Sequence, residues 1–84
     1  MFKITKWCAS ITDDNKDRII EVAENERKTM PYIFRLLDDD GIIYAEGISS
    51  TNDDQKAFRP LDRYQNDYGC TEIQYLNDGE WETL

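Results

Sequence analysis

Apolar and polar residues alternate at the start of the chain with the two-residue period of a β-strand. Within residues 2–11, one face carries Phe2, Ile4 and Cys8, and the other carries Trp7, Ala9 and Ile11. Apolar side chains on both faces suit a strand that has neighbours in a sheet. The pattern therefore predicts an N-terminal strand at a central position.

Residues 14–28 fit two periodicities. The apolar positions Ile19, Ile20, Val22 and Ala23 have helical spacing, and Asp14 is a residue type that caps helices. Against this, Ile20 and Val22 also alternate as in a strand, and β-branched residues favour strands. We favour a helix and keep a strand as the alternative.

Residues 32–48 predict a first β-hairpin. Two apolar runs flank Asp38-Asp39-Asp40-Gly41, and Asp-Gly between such runs is a strong hairpin signal. A two-residue loop sets Arg35 opposite Glu46, where the two side chains can form an ion pair.

Residues 53–68 predict an irregular segment with a short helical turn near 53–58 that Pro60 stops. We expect the apolar side chains of this segment to pack over the sheet: Phe58, Leu61, Tyr64 and Tyr68.

Residues 70–84 predict a second hairpin. A three-residue loop, Asn77 to Gly79, pairs Tyr75 with Trp81 and buries both. It also gathers the polar side chains on the opposite face, namely Glu72, Gln74, Glu80 and Glu82. We prefer it to a two-residue loop because it separates apolar from polar side chains.

These elements predict one α+β domain spanning residues 1–84. Its sheet is small and mostly antiparallel, built from two hairpins and an N-terminal strand, with one helix. Ten aromatic residues in 84 supply enough apolar surface for a core and argue against disorder.

Charge narrows the possible partners. The formal net charge is −8, and the last fifteen residues contain no basic side chain. Such a chain repels nucleic-acid phosphates and anionic lipids, so we expect neither as a partner. No apolar run approaches the length that spans a membrane, and the N-terminus lacks the apolar core of a signal peptide. We expect a cytoplasmic protein with two reduced thiols and a basic protein as its partner.

Several stretches resemble a known group. They are Leu37-Asp38-Asp39-Asp40-Gly41, then Phe58-x-Pro60-Leu61-Asp62-x-Tyr64, then Gly69-Cys70-Thr71-Glu72-Ile73-Gln74-Tyr75, with Trp81 near the end. On these residues, the region 31–84 resembles short acidic proteins of bacteria and their mobile elements, a group with no assigned activity. The resemblance implies a compact domain.

Catalytic chemistry has little support. The chain has no histidine, no phosphate-binding glycine loop and no nucleophile elbow. Cys70 beside Arg63 is the better of two nucleophile candidates, and a buried structural cysteine is the favoured interpretation. We expect no enzyme activity, no cofactor and no metal.

One spacing resembles a calcium loop. Asp13, Asn15, Asp17 and Glu24 match ligand positions of an EF-hand loop, but Arg18 stands where that loop needs glycine. A calcium-stabilised module is therefore kept only as an alternative.

The leading hypothesis is a non-catalytic acidic module that binds a basic protein surface, such as an accessory factor of a phage or mobile element. The candidate binding residues are Asp38, Asp39, Asp40, Glu72, Glu80 and Glu82. Besides the calcium module, a homo-oligomeric structural protein is the alternative. The simpler interpretation is that these two groups of acidic residues, the three aspartates and the three glutamates, only keep the surface solvated.

Overall fold

The computed structural model describes residues 1–52 and 55–84. It confirms the α+β class, with six strands and two α-helices among these residues. The strands are β1 Phe2–Trp7, β2 Arg18–Ile19, β3 Tyr32–Leu37, β4 Ile43–Ser49, β5 Glu72–Asn77 and β6 Glu80–Thr83. The helices are α1 Glu24–Thr29 and α2 Arg59–Tyr68, and a 3-10 turn, Gln55–Phe58, leads into α2.

The strands form one antiparallel sheet in the order β2-β1-β4-β3-β5-β6. The N-terminal strand β1 has β4 on one side and the short β2 on the other, as its two-sided apolar pattern predicts. Every neighbouring pair in the sheet is antiparallel. The β3–β4 and β5–β6 pairs are hairpins, whereas the β1–β4 and β3–β5 pairs join strands that do not follow each other in the chain.

One face of the sheet packs under α2 and the 3-10 turn. Phe34 and Tyr75 are directly paired across β3 and β5, and both are almost completely buried. The Tyr75 hydroxyl donates a 2.8 Å hydrogen bond to the backbone carbonyl of Ala57, which satisfies the only polar atom of that side chain. Leu61 closes the core from α2, as predicted, with Phe58 and Tyr64 against its rim.

A bulge in β1 corrects the predicted faces of that strand. The pairing with β4 shifts between Ile4 and Lys6, so Trp7 pairs with Ala45 and lies on the same side as Phe2. An extra residue in one strand reverses the alternation beyond it. Trp7 therefore packs on α2, with its ring centroid 5.2 Å from that of Tyr64.

The helix predicted across residues 14–28 forms only at its end. Arg18–Ile19 is a strand that pairs with β1, and α1 begins at Glu24. The N-terminus of α1 uses Glu26, whose carboxylate accepts the Ala23 N–H at 3.0 Å, rather than Asp14. The β-branched residues before position 24 pass alongside β1, where the Ile20 N–H donates to the Thr5 carbonyl.

Pro60 has the opposite role to the one predicted. It occupies the first turn of α2, where its missing N–H is not needed, and the helix runs on to Tyr68. A proline that ends one helical turn can equally begin the next helix. The predicted turn over 53–58 is confirmed from Gln55 onward, and residues 53–54 lie outside the described residues.

The first hairpin has the predicted register from Tyr32 to Leu36, but neither the predicted two-residue loop nor the predicted ion pair. The register shifts after Leu36, so Leu37 pairs with Ile43, and Gly41 adopts a left-handed φ of 80° in the turn. Arg35 faces Glu46 across β3 and β4. The Glu46 carboxylate instead pairs with Lys6 at 3.0 Å. The Arg35 guanidinium donates to Gln74 at 2.7 Å and stacks on the Trp81 ring, 4.2 Å from its centroid.

The second hairpin has a two-residue turn, so the predicted three-residue loop is wrong. Asp78 and Gly79 both have positive φ, 51° and 82°, as a type I′ turn requires. Leu76 therefore pairs with Trp81, and Tyr75 with Glu82. The Asp-Gly dipeptide tolerates two left-handed residues, and this local preference outweighs the separation of faces on an edge strand.

Candidate functional site

Three connecting segments meet at one end of the sheet. They are the loop after β1, the turn between β3 and β4, and the link from α2 to β5. Hydrogen bonds tie the first and third segments to the strand ends beside the turn. The Cys8 N–H donates to the Tyr44 carbonyl at 2.8 Å and Ser10 Oγ to the Ile43 carbonyl at 2.6 Å, both in β4, and the Thr71 N–H donates to the Leu37 carbonyl of β3 at 2.8 Å. The folded chain thus brings segments that are distant in sequence to the same end of the sheet.

We call residues 8–18, 38–42 and 69–72 the acidic end. These segments contain seven carboxylates and two basic side chains, a formal charge of −5 out of −8 for the whole chain. The carboxylates are Asp13, Asp14, Asp17, Asp38, Asp39, Asp40 and Glu72. Four of the six predicted binding residues lie here, and they are joined by three aspartates of the 8–18 segment.

Asp38 holds the turn together. Its Oδ1 accepts the backbone N–H groups of Asp40 at 2.9 Å and Ile42 at 3.0 Å, and its Oδ2 accepts the Tyr44 hydroxyl at 3.0 Å. Partial desolvation acts to raise the pKa of Asp38, but these hydrogen bonds outweigh it and leave the pKa below its usual value. Asp38 therefore stabilises the turn between β3 and β4.

The carboxylates of Asp39 and Asp40 make fewer hydrogen bonds within the fold than that of Asp38. Asp39 Oδ1 accepts a 2.6 Å hydrogen bond from the Thr71 hydroxyl, which ties the turn to the start of β5. The Asp40 carboxylate is exposed and makes no hydrogen bond or ion pair within residues 1–52 and 55–84. Neither carboxylate is neutralised by a basic side chain of the described residues.

The three candidate glutamates do not share a face. Glu72 lies opposite Leu37, at the acidic end, and accepts hydrogen bonds from Gln74 at 2.8 Å and Thr83 at 3.1 Å. The two-residue turn puts Glu80 and Glu82 on the other side of the hairpin, in register with Asn77 and Tyr75. The predicted glutamate face is therefore wrong as a single surface.

The loop with calcium-like spacing is closed by its own hydrogen bonds. Asp17 Oδ1 accepts the Ala9 N–H at 2.7 Å, and the left-handed residue is Asn15, at φ 56°, rather than Arg18. Glu24 begins α1, beyond β2. In the part of the chain that the structure describes, no three Asp, Glu or Cys side chains converge as a metal site.

The two cysteines are not bonded to each other. Cys70 is buried in the core, and burial raises the pKa of its thiol, which disfavours the reactive thiolate. Arg63, the neighbour expected to activate it, pairs with Asp67 at 3.2 Å and stacks on Tyr64. This arrangement matches a structural cysteine.

A cleft opens beside the acidic end, between β1, the following loop and the last turn of α2. Its volume is about 320 Å³, and its lining residues are Trp7, Ile11, Thr12, Asp13, Arg18 and Tyr68. The rings of Trp7 and Tyr68 lie 4.9 Å apart between centroids. The cleft could not be predicted from the sequence, because regular alternation places Trp7 on the face of β1 opposite Phe2. The irregularity between Ile4 and Lys6, which turns Trp7 toward α2, has no signal in the sequence.

Comparison with protein-family models, with curated proteins and with solved structures gave no match. None of the helices among the described residues is long and apolar enough to span a membrane. The function is therefore argued from the residues themselves.

Proposed function

We propose that the protein is a non-catalytic binding module whose acidic end engages a basic protein surface. In this proposal it acts as an accessory factor of a bacterial mobile element or phage. The observation that carries the proposal is the gathering of seven carboxylates on three sequence-distant segments at one end of the sheet.

The fold needs only part of this charge. Asp38 and Asp17 fix their own loops through backbone hydrogen bonds, whereas Asp40 and Asp13 are exposed and make none with their carboxylates in the described chain. Like charges held close together weaken folding slightly, so a fold gains nothing from the surplus. The surplus does create a negative potential that steers a basic partner and rejects an acidic one.

The same charge argues for the class of partner. Nucleic acid is bound mainly through its phosphates, which this end repels, and anionic lipid surfaces are disfavoured for the same reason. A protein surface rich in arginine and lysine is complementary. The absence of histidine from the sequence and the burial of Cys70 support a binding role over a catalytic one.

The test is capture of partners from a bacterial extract by chemical cross-linking, followed by mass spectrometry. The Asp39→Lys/Asp40→Lys double variant reverses charge at the acidic end. The Glu21→Lys/Asp62→Lys double variant makes the same change in net charge at two exposed residues outside it. A third double variant, Glu80→Lys/Glu82→Lys, tests whether the surface extends to β6.

We expect the wild type and the Glu21/Asp62 control to capture the same basic protein, and the Asp39/Asp40 variant to lose it. All variants should remain folded, since exposed charges contribute little to folding. Small losses of stability are expected where Asp39 loses the Thr71 hydrogen bond and where a lysine replaces Asp62 in the first turn of α2. Equal loss in both variants would mean that only net charge matters, and the proposal would fail. Undiminished capture by the Asp39/Asp40 variant would also refute it.

A further inference from the structure

The cleft beside the acidic end combines an aromatic floor with a charged rim. Tyr68 is 43% exposed and Trp7 is half-buried, so both rings are accessible from the cleft. Its volume of about 320 Å³ is at the small end of the range for ligand pockets, roughly 300–1,000 Å³. A space of this size suits one long side chain better than a cofactor.

We propose that this cleft receives an arginine side chain of the basic partner. The inference rests on the proposed function and names the group that anchors the partner. The guanidinium would stack on the exposed ring of Tyr68 at the side of Trp7, since the two rings are 4.9 Å apart and leave no room between them. Asp13 would accept its N–H groups.

Aromatic rings attract cations through their electron-rich faces, and the planar guanidinium of arginine stacks on them better than a lysine ammonium. The protein already makes this contact twice with its own side chains. Arg35 lies 4.2 Å from the centroid of the Trp81 ring, and Arg63 lies 4.9 Å from that of Tyr64. Trp7 and Tyr68 have no such cation among the described residues.

The charge of the surface around the cleft favours a cation. The Asp13 carboxylate is exposed and unpaired in the described chain, and the Arg18 guanidinium lies 3.8 Å from Asp14 in an exposed ion pair. Among the described residues, Arg18 is the basic side chain that lines the cleft, and the acidic end, to which Asp13 and Arg18 both belong, carries a formal charge of −5. An incoming arginine therefore meets a carboxylate and a negative surround.

The experiment uses Trp7 as a local reporter. The Trp81→Phe variant leaves Trp7 as the only tryptophan of the two in the chain. Octa-arginine and octa-lysine peptides are titrated against it at physiological ionic strength, and Trp7 fluorescence and calorimetric affinity are measured. Both peptides can bind the acidic end by charge, so the cleft is reported by the difference between them.

In this background, we expect Tyr68→Ala and Asp13→Asn each to weaken octa-arginine binding about five- to tenfold and octa-lysine binding by much less. Tyr32→Ala and Asp62→Asn are matched controls. They remove an exposed tyrosine and an exposed carboxylate away from the cleft, and both should leave binding unchanged. Asp13 is exposed, so its variant should fold normally even if the Tyr68 variant proves less stable.

Arg18→Gln separates the two possible charges of the ligand. Removal of the like charge should raise octa-arginine affinity about two- to threefold. A fall in affinity, or equal effects of the cleft variants on both peptides, would overturn the inference. If the cleft variants change nothing while Asp39→Lys/Asp40→Lys still weakens both peptides, the proposed function stands and the arginine site does not. If the Asp39/Asp40 change has no effect, the proposed function itself fails.

Discussion

The helix-covered centre of the sheet and its acidic end use polar groups in different ways. In the centre, the Tyr75 hydroxyl is a deeply buried polar group, and it has a defined partner in the Ala57 carbonyl. At the acidic end, Asp38 is fully used by its turn, but Asp40 and Asp13 have no partner for their carboxylates in the described chain. The comparison separates side chains that the fold requires from side chains that are available to a partner.

This difference predicts two classes of substitution. Changes in the centre should lower stability and affect binding only through unfolding. Changes at the exposed carboxylates should leave stability nearly constant and affect binding alone. Asp38 lies at the acidic end, but its substitution should lower stability, as substitutions in the centre do.

The largest effect is expected for Phe34→Ala. Phe34 is completely buried and contacts the rings of Phe2 and Tyr75, with centroid distances of 6.2 Å and 5.9 Å. Removal of a buried ring costs about 3–5 kcal/mol, most of the stability of a domain this small. Urea unfolding measures the cost, with Asp40→Ala as the control, expected within about 0.5 kcal/mol of the wild type. If the two variants lost equal free energy of unfolding, the proposed difference between the buried centre and the acidic end would be contradicted.

Trp81→Ala should cost less, about 1–2 kcal/mol. In the two-residue turn register, Trp81 lies across from Leu76 and under Arg35, on the opposite face from Tyr75, and is only half-buried. The same urea experiment checks it. A cost as large as that of Phe34→Ala would support the three-residue loop and contradict the register described here.

A smaller and pH-dependent effect is expected for Asp38→Asn. Folding lowers the pKa of Asp38, so the ionised carboxylate stabilises the turn above the unfolded pKa of about 3.9. That contribution is lost as pH falls through the folded value. The variant should therefore melt below the wild type at neutral pH, and the gap should narrow in acid. Melting curves from pH 7 to pH 2 test this, and a gap that stays constant would show that the charge plays no part.

The two hairpins differ in how well the sequence predicts their register. In the first, both strands are central, and the buried pattern around Phe34, Leu36 and Ala45 allows one register, so the predicted pairing is correct up to Leu36, although the predicted two-residue loop is wrong. In the second, β6 is an edge strand with exposed residues on both faces, so its pattern constrained the register weakly. The Asp78-Gly79 turn, with two left-handed residues, sets the register of this hairpin.

Two further errors have different physical origins. The bulge that turns Trp7 toward α2 lies in the pairing of β1 with β4, which are distant in sequence. Pro60 fits the first turn of a helix as well as the end of one, so local preference alone did not fix its role. The acidic end was predicted in part, through Asp38, Asp39, Asp40 and Glu72. Its contribution from the loop after β1 could not be predicted, because only the topology brings that loop beside the β3–β4 turn.

The most direct test of the acidic end is the association rate of the captured basic partner as a function of ionic strength. Screening shortens the Debye length from about 30 Å at 0.01 M salt to about 8 Å at 0.15 M. We predict that the wild-type rate falls by roughly tenfold or more over this range. The Asp39→Lys/Asp40→Lys variant should start slower and depend much less on salt, while Glu21→Lys/Asp62→Lys should keep most of the wild-type dependence. A rate that does not change with salt, or the same loss of dependence in both variants, would contradict recognition through the acidic end.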